Sequence, residues 1–361
     1  MHQTNKIINI QFLRAFASLL VLFYHTSAHF FASGGGTHGN IFSYMSQIGY
    51  VGVDIFFVIS GYIMWTSTQH ILHGHTSSAL KFIFKRFTRI YPIYWSFLLL
   101  LLLIHAFKGG FNGIDIFSSI FLTFSSSSTL LLQVAWTLQY ELYFYLVFSL
   151  LLLFSKRYRI YLLTILFIAI VFIQFYAIVF LDIYTVKNLN TASTFYTFWF
   201  SPFFIEFLLG VFLAFYVEKR RTKRVFPLFL VATGLVVLAL LYQHTAIHAT
   251  LADGYYMPQR VLLLGTASTL LLALLVELNR REIIIFPKFS LLLGNASYTL
   301  YLSHTILLLI IYGLGIRTAI KDFGAYQGIF MSLIMLFIII FSLFYYKWVE
   351  LPLMKFFKHK I

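Results

Sequence analysis

Cysteine is missing altogether from this 361-residue chain, and charged residues make up only 10% of it. Without a thiol there is no disulfide framework and no thiol nucleophile, although the absence says nothing about compartment. With so few charges, a soluble protein of this length could not clothe its core. Long polar stretches are also lacking, so the chain is expected to form one domain over 1–361. No Gly-x-Ser-x-Gly nucleophile elbow occurs. The Gly-rich run Ser33–Gly36 has no Lys-Ser/Thr after it, which excludes a phosphate loop and leaves a flexible connector. No internal repeat is evident.

What is present is apolar: 60% of the residues are hydrophobic and 20% aromatic. The apolar residues fall in repeated runs of about 20, the length an α-helix needs to cross a bilayer, rather than in the short alternating segments of a barrel. An all-α polytopic membrane protein is therefore expected, with about ten transmembrane helices at 8–31, 48–70, 91–107, 134–154, 159–181, 197–217, 225–244, 257–279, 289–312 and 324–346. The first run is too long for a cleaved signal peptide, and Arg14 would interrupt it.

The net charge of +15 does not point to nucleic acid, because the basic residues sit in short clusters between apolar runs. Lys81, Lys85, Arg86 and Arg89, then Lys156, Arg157 and Arg159, then Lys219 to Arg224, Arg280, Arg281 and Lys288, and the C-terminal lysines all fall on one side of the expected layout. Lys108, Lys187, Arg260, Arg317 and Lys321 fall on the other. That asymmetry predicts both termini in the cytoplasm. Residues 76–91 form one cytoplasmic interfacial amphipathic helix, ended by Pro92, with apolar Leu80, Ile83, Phe84 and Phe87 opposite the cations. Its cations serve either anionic headgroups or a phosphate, which Arg86 and Arg89 at i, i+3 would grip.

Several polar residues lie inside the apolar runs. Arg14 and His25 are eleven residues apart, so on a helix they differ by about 20° in azimuth and roughly 16 Å in height. His25, Asp54, Glu141, Glu206 and His304, from five different runs, all fall about 9–14 Å from the external end of their spans. Ionisable groups within spans usually face a cavity or a water path, so a shared polar cavity is expected. Blander readings stand beside this one. Asp54 would bond a neighbouring helix, Glu206 would satisfy backbone groups freed by Pro202, and His304 would be a hydrogen-bonded core histidine. His29, near the membrane rim, reads as a surface group. His25 and His29 are spaced like a metal pair, but no third ligand has telling spacing, so no metal is expected.

At these residues the sequence resembles acyltransferase family 3, the membrane O-acetyltransferases of bacterial surface sugars. "IQFLRAFASLLVLFYH" resembles that family's Arg-x10-His helix through Arg14 and His25. "GYVGVDIFFVISGYIM" resembles its second span through Asp54, Ser60 and Gly61. "FKRFTRIYPIYW" is similar to its Arg-x-x-Arg block through Arg86, Arg89 and Pro92. "AWTLQYELYFYL" is similar to a further block through Trp136 and Glu141, with Thr137 where the family carries serine. "NASYTLYLSH" and "WVELPL" resemble its late blocks through Ser297, Tyr298, His304, Glu350 and Pro352.

The resemblance implies a stand-alone exopolysaccharide-type member without the extracytoplasmic hydrolase-like domain of some relatives, located in the bacterial inner membrane. It implies transfer of an acyl group, most often acetyl from cytoplasmic acetyl-CoA, to a sugar hydroxyl of a cell-surface or lipid-linked glycan. On that reading Arg14, Arg86 and Arg89 hold the donor's phosphates. Trp136, Tyr140, Tyr298, His304 and Glu206 line the acceptor's side. His25 is the catalytic base or a transient acetyl carrier, with Asp54 or Glu141 orienting its ring. The rival is a transporter or flippase for a lipid-linked sugar, whose substrate path would also carry intramembrane Arg, His, Asp and Glu.

Overall fold

The computed structural model describes residues 7–31, 48–108, 110–180, 198–221, 225–242, 257–316 and 327–358, and within them every regular element is helical. The Gly-rich run 33–36, the side chain of His29, both chain ends and several charge-bearing loops lie outside the described residues. The helices are α1 (Ile8–Phe31), α2 (Val51–Thr68), α3 (Thr76–Lys108), α4 (Ile116–Phe121), α5 (Trp136–Leu151), α6 (Lys156–Phe180) and α7 (Phe203–Lys219). After these come α8 (Phe226–Tyr242), α9 (Pro258–Arg280), α10 (Pro287–Asn295), α11 (Ser297–Gly313), α12 (Gln327–Tyr345) and α13 (Leu351–Lys358).

Six of these described helices are long and apolar enough to cross a bilayer, or up to seven if the broken pair α10–α11 counts as one span. Ten were expected. Of the other expected spans, α5 has 16 residues and α7 and α8 have 17 each, at the short end of the roughly 17–25 that a crossing takes. The chain is an integral membrane protein of the helical kind.

One boundary departs from expectation. Pro92 does not end a separate amphipathic helix, because α3 runs through it for 33 residues. Proline removes a single helical donor and crowds one carbonyl, which membrane helices tolerate where neighbours re-satisfy the backbone. The cations of residues 81–89 and the apolar run 97–107 therefore belong to one continuous helix. Pro352 acts differently. Just before it the chain takes a π-turn at Tyr346–Glu350, and the register change leaves Glu350 buried.

The chain gathers into two compact units. The first comprises Met1–Ala17, Val51–Ile83 and Tyr140–Gly294. Its centre is the packing of α2 on α7 and of both on α9. A Cβ on Gly61 would overlap the Phe207 carbonyl, and one on Gly210 would overlap that of Val58. The two backbones touch, as small residues allow at membrane helix interfaces. Cations close the helix ends: Arg159 donates to the carbonyl of Thr68, the last residue of α2, and to that of Ile71 just after it, and Arg280 to those of Val217 and Arg220 at the end of α7. Asn9 bridges to the carbonyls of Leu275 and Ile283 and accepts from the amide of Ile285.

The second unit comprises Ser18–Tyr50, Phe84–Gln139 and Asn295–Ile361. Here α11 packs on α12, with Ser303 and Ser342 hydroxyls 2.9 Å apart. Thr299 donates to the buried Glu350 carboxylate. Tyr298 Oη donates to the Ile90 carbonyl at 2.9 Å, tying α11 to α3.

Candidate active site

The second unit brings two of the expected site residues into contact. His25 Nδ1 and His304 Nε2 are 3.3 Å apart, and their ring centroids 4.8 Å apart at 60°. Each ring sits one turn from a carbonyl of its own helix. His25 Nδ1 is 3.0 Å from the Val21 carbonyl, and His304 Nδ1 is 3.1 Å from that of Leu300. A carbonyl oxygen only accepts, so both Nδ1 atoms carry the proton. His25 then shares its Nδ1–H between Val21 and the lone pair of His304 Nε2. The basic nitrogen of His25 is Nε2. One hydrogen bond fixes the tautomer that the other nitrogen must have, the arrangement a general base requires.

Aromatic rings flank the pair. Tyr24 meets His25 edge-on at 5.0 Å and Tyr50 at 5.6 Å, while Tyr301 lies 5.8 Å from His304. The Tyr301 hydroxyl is held by the Val134 carbonyl at 2.9 Å and the Thr137 hydroxyl at 2.8 Å. Arg86 and Arg89, half-buried on α3, belong to the same unit. Tyr298 binds the carbonyl of Ile90, the residue after Arg89, and His304 follows six residues later, about 9 Å along α11. Trp136 is half-buried at the first position of α5.

The remaining expected residues lie in the first unit and form two separate groups. Asp54 makes a 2.7 Å ion pair with Arg260, both side chains fully buried. The Glu206 carboxyl, likewise buried, lies against Asp54. One guanidinium thus faces two acids. Glu141 accepts from the Ser60 hydroxyl at 2.8 Å and from the Tyr145 hydroxyl. Asp54 and Ser60 are six residues apart on α2, about 9 Å. Tyr140 is buried among Phe57, Phe198, Phe203 and Phe204. Arg14 reaches back to Gln11 at 3.4 Å.

Sequence reasoning missed Arg260, which it counted with the external loop charges. It is the third residue of α9 and fully buried. A cation immediately inside an apolar run was the available signal, since such a charge needs a partner. Among the described residues, no group of three or more His, Asp or Glu gathers as a metal site.

The profile of a family described as "Acyltransferase domain" matches residues 7–349. The chain is also similar to the exopolysaccharide production protein ExoZ of Rhizobium meliloti (strain 1021). The two are 28% identical over 268 residues, covering 72% of this chain and 76% of that protein. No solved structure matches.

Proposed function

We propose, since this chain belongs to the acyltransferase-domain family, that it moves an acetyl group from cytoplasmic acetyl-CoA to a sugar hydroxyl of a surface or lipid-linked glycan, in the bacterial inner membrane. The likeness to an exopolysaccharide production protein supports a polysaccharide acceptor. The observation that carries the reading is the His25–His304 contact, with its tautomer set by two carbonyls.

In the reaction, His25 Nε2 takes the acceptor hydroxyl's proton as its oxygen bonds to the thioester carbonyl carbon. The C–S bond then breaks, and the imidazolium returns that proton to the departing thiolate. Ester and free thiol are the products, so atoms and charge balance. His304 Nε2 accepts the Nδ1–H throughout and holds the ring in orientation. An imidazole suits this exchange because its ordinary pKa, about 6.5, lies near working pH. Arg86 and Arg89 would hold the donor's phosphates, since guanidinium forks bind phosphate bidentately. The tie from Ile90 to Tyr298 supports a short path from those cations to the histidines, within reach of an extended pantetheine arm.

The test is transfer itself. Purified protein in proteoliposomes should move radiolabel from acetyl-CoA onto host-strain glycan. Glycan movement across the bilayer without labelling would favour the carrier reading instead.

A further inference from the structure

The segment between α3 and α5 reads in sequence as an external loop, but its hydrogen bonds run far back along α3. Tyr91 Oη donates to the Phe121 carbonyl at 2.7 Å, Trp95 Nε1 donates to the Ile120 carbonyl at 2.8 Å, and Tyr94 Oη bonds the Ser119 carbonyl. Thirteen residues of α3 separate Trp95 from Lys108, about 20 Å. Leu99, Leu103 and Phe107 project from that stretch and are 50–88% exposed, as lipid-facing residues are. Short helix α4 accordingly lies deeper in the bilayer than the end of α3. Its own faces agree, for Phe117 and Phe121 point outward while Ser118 and Ser119 are buried.

Around this helix the chain is polar and irregular. Asp115 caps α4 by accepting the Ser118 amide at 2.9 Å, and its second oxygen accepts the Ser125 hydroxyl at 3.2 Å. Ser125 and Thr129 hydroxyls are 2.7 Å apart, those of Ser126 and Ser128 2.9 Å. Irregular, polar backbone at membrane depth persists only where protein buries it or water reaches it. The side chain of Ser126 is half-buried and that of Ser128 exposed. At that depth such hydroxyls require water. At its far end the segment joins the histidines: the Val134 carbonyl holds Tyr301, whose ring lies against His304.

We propose that residues 110–135 enter the bilayer from the face where α3 ends and line a water-filled recess whose hydroxyls receive a carbohydrate acceptor on its way to His25. This rests on the transferase reading for its ligand, while the recess itself does not. A cluster of hydroxyls around one carboxylate offers donors and acceptors in alternation, the chemistry that exchanges hydrogen bonds with sugar hydroxyls.

The natural absence of cysteine makes the test direct. Ser126→Cys and Ser128→Cys are compared with Leu99→Cys, on the exposed face of α3 one turn beyond Trp95, using a membrane-impermeant sulfonated maleimide on intact cells. Maleimides consume thiolate, which forms in water and not in hydrocarbon, so both serine sites should react at least about tenfold faster than Leu99→Cys. Oligosaccharides released from the host strain's own surface polysaccharide should slow labelling at Ser128→Cys. Reaction as slow as at Leu99→Cys, or labelling only in inside-out vesicles, would overturn the recess. Fast labelling that the oligosaccharides leave unchanged would overturn its ligand. Labelling needs no acyl transfer, so the recess can fail while His25-dependent transfer stands, and the reverse.

Discussion

At His25 the chemistry is decided by where two protons must sit. Because the Val21 and Leu300 carbonyls take the Nδ1–H of each ring, the lone pair of His25 falls on Nε2. His25→Ala should therefore abolish transfer while the protein still inserts and accumulates. The expected loss is about 10²–10⁴-fold, the range for a general base, read by acetylation of host glycan against protein quantified in the membrane. His304 acts through His25 and is a positioning residue. His304→Leu removes the acceptor for the Nδ1–H and should lower transfer about 10²-fold, the cost of a slightly misplaced base. His304→Gln keeps an acceptor oxygen and should recover part of that loss, with the pH optimum of the surviving activity retained. Equal activity in the Leu and Gln variants would remove His304 from this role. The pairing itself was not legible in the sequence. It joins residues 279 apart, and only the tertiary approach of α1 to α11 within the second unit reveals it.

Elements were more legible than their ends and partners. Runs of aliphatic and aromatic residues announced most of the helices, because a segment of that composition has one stable home. Pro92 misled, since a proline costs one helical hydrogen bond that other groups in a membrane protein can replace, and α3 continues through it. Arg260 was misplaced because nearness to a run's end looks like a loop charge, whereas its partner Asp54 lies 206 positions away. The structure makes the cost of removing it explicit. Arg260→Met leaves two buried acids without their cation and should destabilise the protein by about 3–5 kcal/mol, seen as a lowered midpoint in detergent thermal unfolding. An unchanged midpoint would mean that the pair contributes nothing to the packing of α2 on α9. Gly61→Ala tests the close contact of α2 and α7. The new methyl meets a backbone carbonyl rather than a movable side chain, so a loss of about 1–3 kcal/mol is expected from overpacking, again in the unfolding midpoint.

For the whole molecule, the charge asymmetry of the sequence predicts an orientation that the six long apolar helices among the described residues do not by themselves fix. Single cysteines at exposed positions resolve it. Asn112→Cys, after α3, should react with an impermeant maleimide on intact cells, and Glu282→Cys, after α9, only once the membrane is opened. The reverse pattern would invert the chain and put the donor's cations on the wrong side. On the proposed function, His25 serves the passage of an acyl group from a cytoplasmic donor to an acceptor hydroxyl. Sealed proteoliposomes with labelled acetyl-CoA outside and host glycan within test it most directly, with the fraction of protein in each orientation determined by Glu282→Cys labelling. Labelled glycan is expected in the lumen for the protein inserted with its Arg86 and Arg89 end outward, and none for His25→Ala. Equal labelling by His25→Ala and the native chain would contradict it.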